Sequence, residues 1–131
     1  MEYLVKRSAI TSEKSACAIV AVFANKRLSD EAQQLDKLYG GILSNATKGG
    51  DISGNLGETL LVHTPNNSNH KRILLVGCGK LKELDIIKYR KVLNSSINAL
   101  KNTGSADAIS TLVTLDILNQ SAQSLTRIHI L

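Results

Sequence analysis

The sequence predicts an α/β protein in which a mixed sheet lies between helices, in three layers. Two continuous apolar runs, one over residues 16–23 and one within residues 72–80, are rich in aliphatic residues and typical of central strands that helices cover on both faces. Other segments carry apolar residues at three- and four-residue spacing, which is typical of helices. Because parallel neighbours need helical crossovers, the alternation of such runs and segments favours a sheet flanked by helices.

The first half of the chain begins with a short strand, residues 3–5, which Lys6 and Arg7 mark as an edge strand because charge discourages unwanted pairing. Residues 16–23 then form a central strand. Ser29 offers an N-cap hydroxyl and two acids follow it, so a helix is predicted to begin there. Its apolar stripe runs to Ile42 through two consecutive glycines, which predicts one helix with a kink or break.

The second half begins with a glycine-rich loop that leads into a third strand, residues 59–64. A polar turn at 65–70 connects it to the strand at 72–77, and the two are predicted to pair as a hairpin. A helix over 86–101 and a fifth strand over 108–113 follow, giving the order β, β, α, β, β, α, β. Residues 116–131 are polar and then end on an apolar tail that is expected to complete no element.

The amino-acid composition limits the classes of protein to which this chain can belong. A chain of 131 residues with 43% hydrophobic content fits one domain, and with no tryptophan its core must be aliphatic. Cys17 and Cys78 each lie in an apolar run, where a free thiol behaves as a small hydrophobe. There is no signal-peptide pattern and no apolar stretch near the roughly 20 residues that span a bilayer. These features predict a soluble, cytoplasmic protein with no membrane partner.

The net charge of +5 admits a polyanion partner such as nucleic acid. The basic residues occur in ones and twos and not as a long basic arm, so a solvated face is the favoured alternative. If the protein binds DNA, the candidate residues are the pairs Lys26, Arg27 and Lys71, Arg72.

The turn after the fourth strand resembles a phosphate-binding loop, but the context is wrong for one. Gly77 and Gly79 would open a dinucleotide motif, yet Lys82 stands at the position of its third glycine. A phosphate loop ending in Gly-Lys-Ser/Thr also fails, because Leu81 follows Lys80. We therefore predict a tight exit turn and no nucleotide cradle.

No residue pattern predicts catalysis or a metal site in this chain. His63, His70 and His129 fall in a strand, a loop and the tail, without the spacing of metal ligands. Cys17 lies mid-strand, which favours a buried structural thiol over a nucleophile. Cys78 is expected to be the more exposed of the two thiols, although a buried thiol is still the favoured interpretation. We predict no catalytic residue, no metal ligand and no cofactor here.

Several segments, in order along the chain, together resemble the N-terminal domain of the bacterial leucyl (cytosol) aminopeptidases. They are Ser-Ala-Cys-Ala-Ile-Val-Ala-Val-Phe at 15–23, Arg-Leu-Ser at 27–29, Gln-Leu-Asp-Lys at 34–37, Gly-Glu-Thr-Leu-Leu-Val-His at 57–63, Arg-Ile-Leu-Leu-Val-Gly-Cys-Gly-Lys at 72–80, Leu-Asp at 84–85 and Thr-Gly-Ser at 103–105. The resemblance covers residues 1–115 and weakens after them.

The resemblance implies a macro-domain-like fold for residues 1–115, as a non-catalytic N-terminal domain. Residues 116–131 would begin the connection to a larger catalytic domain that carries two divalent metal ions, Mn or Zn. It further implies a hexamer and a peptide substrate bound at the larger domain. The family's metal signature is not present, since Gly104 stands where a ligand aspartate is required. No catalytic residue is carried over.

Three functions compete at this point. The first is a non-catalytic domain that shapes the assembly of a metal-dependent aminopeptidase and regulates access to its site. The second is a DNA-binding module of a bifunctional aminopeptidase, because some family members act on DNA and the domain is basic. The third is ADP-ribose or nucleotide binding, by analogy of fold with macro domains alone.

Overall fold

The computed structural model describes residues 2–6, 10–66, 68–105, 107–112 and 125–129, with the backbone alone for 2–6 and 125–129. Within these residues lie seven strands: β1 Glu2–Lys6, β2 Ser15–Phe23, β3 Arg27–Leu28, β4 Thr59–His63, β5 His70–Gly77, β6 Asp107–Ser110 and β7 Leu125–His129. Three α-helices accompany them: α1 Asp30–Leu38, α2 Ile42–Lys48 and α3 Ile86–Lys101. No helix in this part of the chain is long and apolar enough to cross a membrane.

The sheet is mixed, and β2 lies near its centre. Its strand order is β1-β7-β6-β2-β5-β4, with the short β3 paired to the end of β2. β2 runs parallel to both β5 and β6, while the remaining pairs are antiparallel. The predicted hairpin is confirmed, because β4 pairs antiparallel with β5.

Helices cover both faces of the two central strands. Alternate residues of β2 point to opposite faces, so Cys17 packs in a cluster with Tyr89 of α3, while Ala18 packs with Leu35 of α1. The same alternation divides β5, whose residues from Ile73 to Val76 are at most 1% exposed. The three-layer α/β fold predicted from the apolar runs is therefore confirmed.

The predicted break in the first helix separates α1 from α2. The N-cap is as expected, since Ser29 Oγ accepts a hydrogen bond from the Ala32 N–H at 3.2 Å. Gly40 and Gly41 take left-handed φ angles of 74° and 88°, which end the first helix and turn the chain. The Asp36 carboxylate then accepts bonds from two N–H groups at the start of α2, those of Leu43 and Ser44.

The end of the chain corrects one expectation. Residues 125–129 do complete an element, because β7 lies between β1 and β6 and pairs antiparallel with both. The apolar pattern alone was ambiguous, since the partners of this strand are far away in sequence. The division of the chain at residue 115 stays a prediction, and the adjoining residues 113–124, including the last position of the predicted fifth strand, lie outside the described residues.

Candidate functional site

A cleft of about 720 Å³ opens at the carboxyl ends of β2 and β5. β2 leads toward α1 on one face of the sheet, whereas β5 leads to α3 on the other face. Adjacent strands whose connections leave on opposite faces create the crevice in which α/β proteins bind ligands. The lining comes from residues between Phe23 and Gln33 on one side and from residues 80–83 on the other.

The glycine turn beside this cleft has already used its backbone donors. The Gly77 N–H donates to the Glu58 carbonyl at 2.7 Å, the Cys78 N–H to Val22 at 3.0 Å and the Gly79 N–H to Gly54 at 2.8 Å. A phosphate cradle needs such N–H groups to point at the ligand. The turn is therefore a structural exit from β5, as the sequence predicted.

A loop before β4 packs against the ends of both central strands. A Cβ atom on Gly54 would lie 1.9 Å from the Phe23 carbonyl oxygen, and one on Gly77 would lie 2.0 Å from that of Asn55. Only glycine permits backbones to approach this closely. The Glu58 carboxylate holds the loop in shape by accepting the Asn55 N–H at 2.6 Å. The loop thereby fixes the ends of the strands that form the cleft.

The cleft carries charges of both signs. Lys80 and Lys82 lie on one side together with Glu83, and Arg27 and Asp30 lie on the other. A further carboxylate of the lining, at position 31, is buried and already engaged within the protein. Sequence reasoning did not propose Lys80 or Lys82 as binding residues. The signal that could have found them is the position of Lys80 directly after the exit turn of a central strand.

The four predicted DNA-binding residues do not form one surface. Lys26 and Arg27 follow the carboxyl end of β2, whereas Lys71 and Arg72 lie near the amino end of the parallel strand β5. Arg72 pairs with Cys17, which lies five residues before the residue of β2 that pairs with Gly77. The two ends of this strand pair are therefore separated by on the order of 15–20 Å.

The second pair is also divided between the two faces of the sheet. Arg72 lies on the α3 face, where its Nη1 donates to Ser105 Oγ at 3.2 Å, and strand alternation directs Lys71 to the opposite face. A single duplex therefore cannot contact all four side chains on one flat face of the domain.

The histidine predicted to be in a loop instead opens β5 and is fully buried. Its Nε2 faces the Ile10 carbonyl at 3.0 Å and its Nδ1 lies 2.6 Å from Tyr39 Oη. The carbonyl only accepts, so Nε2 carries the proton of the neutral ring, and Tyr39 donates to Nδ1. Burial lowers the pKa of His70, which favours this neutral form. Both ring nitrogens are committed, so His70 does not fit a metal ligand.

The two cysteines are equally inaccessible. Cys17 is 0% and Cys78 1% exposed, so the buried thiol favoured for each is confirmed, and the expected difference in exposure between them is negligible. Burial raises the pKa of Cys17 to about 11 and that of Cys78 to about 12, so both thiols are neutral at physiological pH. The described part of the chain contains no group of three His, Cys, Asp or Glu side chains that could hold a metal ion. The described donors therefore do not fit a two-metal centre.

Comparison with protein families decides the relationship. The model of the cytosol aminopeptidase family, N-terminal domain, matches residues 19–129. The chain belongs to this family. The match includes β7, which lies beyond the point at which the sequence resemblance weakened.

Two solved structures are similar to this chain. A mutant of tomato leucine aminopeptidase has 28% sequence identity and a TM-score of 0.60, and the match covers 76% of this chain and 20% of the tomato chain. The macrodomain of Mycobacterium tuberculosis DarG has 15% identity and a TM-score of 0.61, over 77% of this chain and 69% of that one. The second likeness shows a macro-like fold. The chain spans about a fifth of the length of the tomato enzyme.

Proposed function

We propose that this chain is the non-catalytic N-terminal domain of a metal-dependent aminopeptidase, which releases N-terminal amino acids from peptides in the cytoplasm. The observation that carries the proposal is the family match over residues 19–129. The metal ions, Mn or Zn, would be bound by the larger domain, and the enzyme would act as a hexamer. The role of this domain would be to support that assembly and to regulate access to the distant site.

The length of the tomato relative supports the proposal that catalysis takes place outside this domain. Four fifths of that enzyme lie outside the part that this chain matches. The buried thiols and the fully hydrogen-bonded His70 are also occupied with folding, so the described donors offer no place for the two metals. No step of peptide hydrolysis is therefore assigned to residues of this chain.

Peptidase assays can test the proposal directly. The purified 131-residue chain is expected not to hydrolyse leucine amide or leucine anilide with Mn²⁺ or Zn²⁺ supplied. A longer protein that includes the larger domain is expected to do so, and to sediment as a hexamer. Metal-dependent turnover that stays with the short chain through successive purification steps would overturn the assignment of chemistry to the larger domain.

DNA binding is the second candidate, and the net charge of +5 favours it. The separation of the two basic pairs means that each would contact phosphates on its own. ADP-ribose or nucleotide binding has weaker support. A cleft does lie beside Lys80, but the N–H groups of residues 77–79 are used within the fold.

A further inference from the structure

The start of α3 exposes two adjacent isoleucines. Ile86 is 52% and Ile87 74% exposed, and among the described residues only Leu38, at 48%, is a comparable exposed aliphatic side chain. The helix does not need them to begin, because Asp85 caps it by accepting the Lys88 N–H at 2.8 Å. Both side chains remain largely exposed to water in the folded protein, so isoleucine at these positions adds little buried apolar surface to the core.

Basic residues flank this apolar pair in the sequence. The segment 80–91 has five cations and two acids, Lys80, Lys82, Lys88, Arg90 and Lys91 against Glu83 and Asp85. One of the two acids is occupied as the helix cap. Four of the cations are exposed, and the fifth, Lys88, donates to the Glu83 carbonyl at 3.3 Å. We call residues 80–91 the α3 entry surface.

The α3 entry surface adjoins the cleft, since residues 80–83 belong to both. Leu81 lines the cleft and packs against the α3-side core. Interfaces between proteins have an apolar core and a polar rim. The isoleucine pair and the exposed basic residues next to it in the sequence have the composition of such an interface.

We propose that the α3 entry surface docks an acidic polypeptide segment that carries apolar side chains. Charge complementarity favours an acidic partner, because the surface has an excess of three positive charges in twelve residues. The same argument opposes a second copy of this chain, whose net charge is +5. The isoleucines favour a polypeptide over a nucleic acid, since a phosphate backbone offers no apolar surface to bury against them.

The cleft also constrains how the segment would lie. Asp30 is exposed on the side of the cleft formed by the start of α1, where it would repel an acidic side chain. The acidic residues of the partner should therefore lie over residues 82–91, with an apolar residue directed at Ile87. This proposal does not depend on the aminopeptidase assignment.

The experiment uses ¹⁵N-labelled 131-residue protein and a synthetic peptide of three Glu-Glu-Leu-Glu-Leu repeats. Binding is followed by NMR chemical shifts, which should change chiefly at residues 80–91. Two control peptides replace every leucine by serine or every glutamate by lysine, and a short DNA duplex competes with the acidic peptide. We expect the leucine-containing acidic peptide to bind at least about tenfold more tightly than either control peptide.

Variants then separate the apolar and the charged contributions. Ile87→Ser and the double change Lys82→Glu with Arg90→Glu should each weaken binding by about tenfold or more. Leu38→Ser is the matched control, because it removes an exposed leucine from another surface, and it should leave affinity unchanged. All of these side chains are exposed, and a circular dichroism spectrum confirms that each variant is folded.

Three outcomes would overturn the proposal. If the serine peptide binds as tightly as the leucine peptide, or if the duplex displaces the peptide with equal affinity, the surface is a general polyanion site. If the chemical shifts move elsewhere, or if Leu38→Ser weakens binding as much as Ile87→Ser, the docking site is in another place. None of these results bears on whether the longer protein hydrolyses leucine amide.

Discussion

At the scale of single residues, burial follows the alternation within the central strands. Leu75 of β5 is 0% exposed and lies in the cluster on the α1 face, together with Val20 of the neighbouring strand. The apolar run that contains Leu75 was already predicted to be buried on both faces. The effect of truncating this side chain therefore measures how much core packing contributes to the stability of the fold.

Leu75→Ala should lower the free energy of unfolding by about 2–5 kcal/mol, because it removes buried methyl groups and leaves a cavity. The measurement is urea denaturation, with the midpoint converted at constant slope. Leu38→Ala is the control, since Leu38 is 48% exposed and should change stability by less than about 1 kcal/mol. Equal midpoints for Leu75→Ala and the unmodified protein would show that β5 is not central to the core.

His70 makes stability depend on pH. Its folded-state pKa is lowered by burial, so the unfolded chain binds a proton more readily than the folded one. Stability is therefore complete above the ordinary histidine pKa of about 6.5 and is lost as the pH falls through that value toward the folded-state pKa. Below the folded-state pKa the loss should level off.

The test compares unfolding free energies between pH 7.5 and 5.5. The unmodified protein should lose stability across this range, by at most about 1.4 kcal/mol per pH unit from one proton. His70→Gln should be less stable at pH 7.5, because it disrupts the bonds to Tyr39 and Ile10, yet it should lose less on acidification. An unchanged slope in His70→Gln would contradict this account.

At the scale of elements, the loop between α2 and β4 is held in place by close backbone contact. Gly54 approaches the Phe23 carbonyl, and the N–H of Lys26 donates to Ser53 at 3.0 Å. The Ala24 N–H donates to Gly79 at 2.8 Å, which joins the turn after β2 to the exit from β5. These contacts explain why glycines flank this region and why the dinucleotide interpretation of Gly77 and Gly79 does not hold.

Gly54→Ala should be far more damaging than Gly50→Ala. Both glycines have left-handed φ angles, 97° and 81°, but only the first has a backbone oxygen where Cβ would stand. Gly50→Ala should cost about 1–2 kcal/mol from its backbone conformation alone. Gly54→Ala must also displace the loop, so we expect a larger loss of thermal stability or failure to fold. Equal melting temperatures for the two variants would show that the loop shifts at no cost.

At the scale of the whole molecule, the parallel pairing of β2 and β5 separates the two predicted basic pairs. Any DNA binding would then come from scattered phosphate contacts. We expect the 131-residue chain to bind duplex DNA only at low ionic strength, with steep loss of affinity as salt rises and little dependence on sequence. An assembly that repeats these contacts along one duplex should bind much more tightly, because each further contact then forms at a high effective concentration within the same complex.

Titration of labelled duplex at two salt concentrations tests this, with the short chain and the longer protein side by side. Lys26→Ala with Arg27→Ala should reduce the salt dependence, and so should Lys71→Ala with Arg72→Ala. An affinity that does not change with salt concentration would refute the phosphate-contact account. Equal affinity of the short chain and a larger assembly would also refute it.

The sequence by itself determined most of the fold. Runs of aliphatic residues, helix caps and consecutive glycines act through near neighbours, so they located the two central strands, the break after α1 and α3 without any knowledge of the sheet. The colinear segments likewise pointed to the family that the match over 19–129 establishes. Because these signals depend on residues that are close together in the chain, they can be recognised from a single sequence.

Only the tertiary structure decided which distant parts meet. The pairing of β7 with β1 and β6 and the hydrogen bonds of both ring nitrogens of His70 depend on residues far away in sequence. The same is true of the cleft with Lys80 and Lys82, which exists because β2 and β5 end side by side. Strand direction and register set these contacts, and neither follows from the periodicity of a single strand, because side-chain alternation is the same whichever neighbour the strand pairs with.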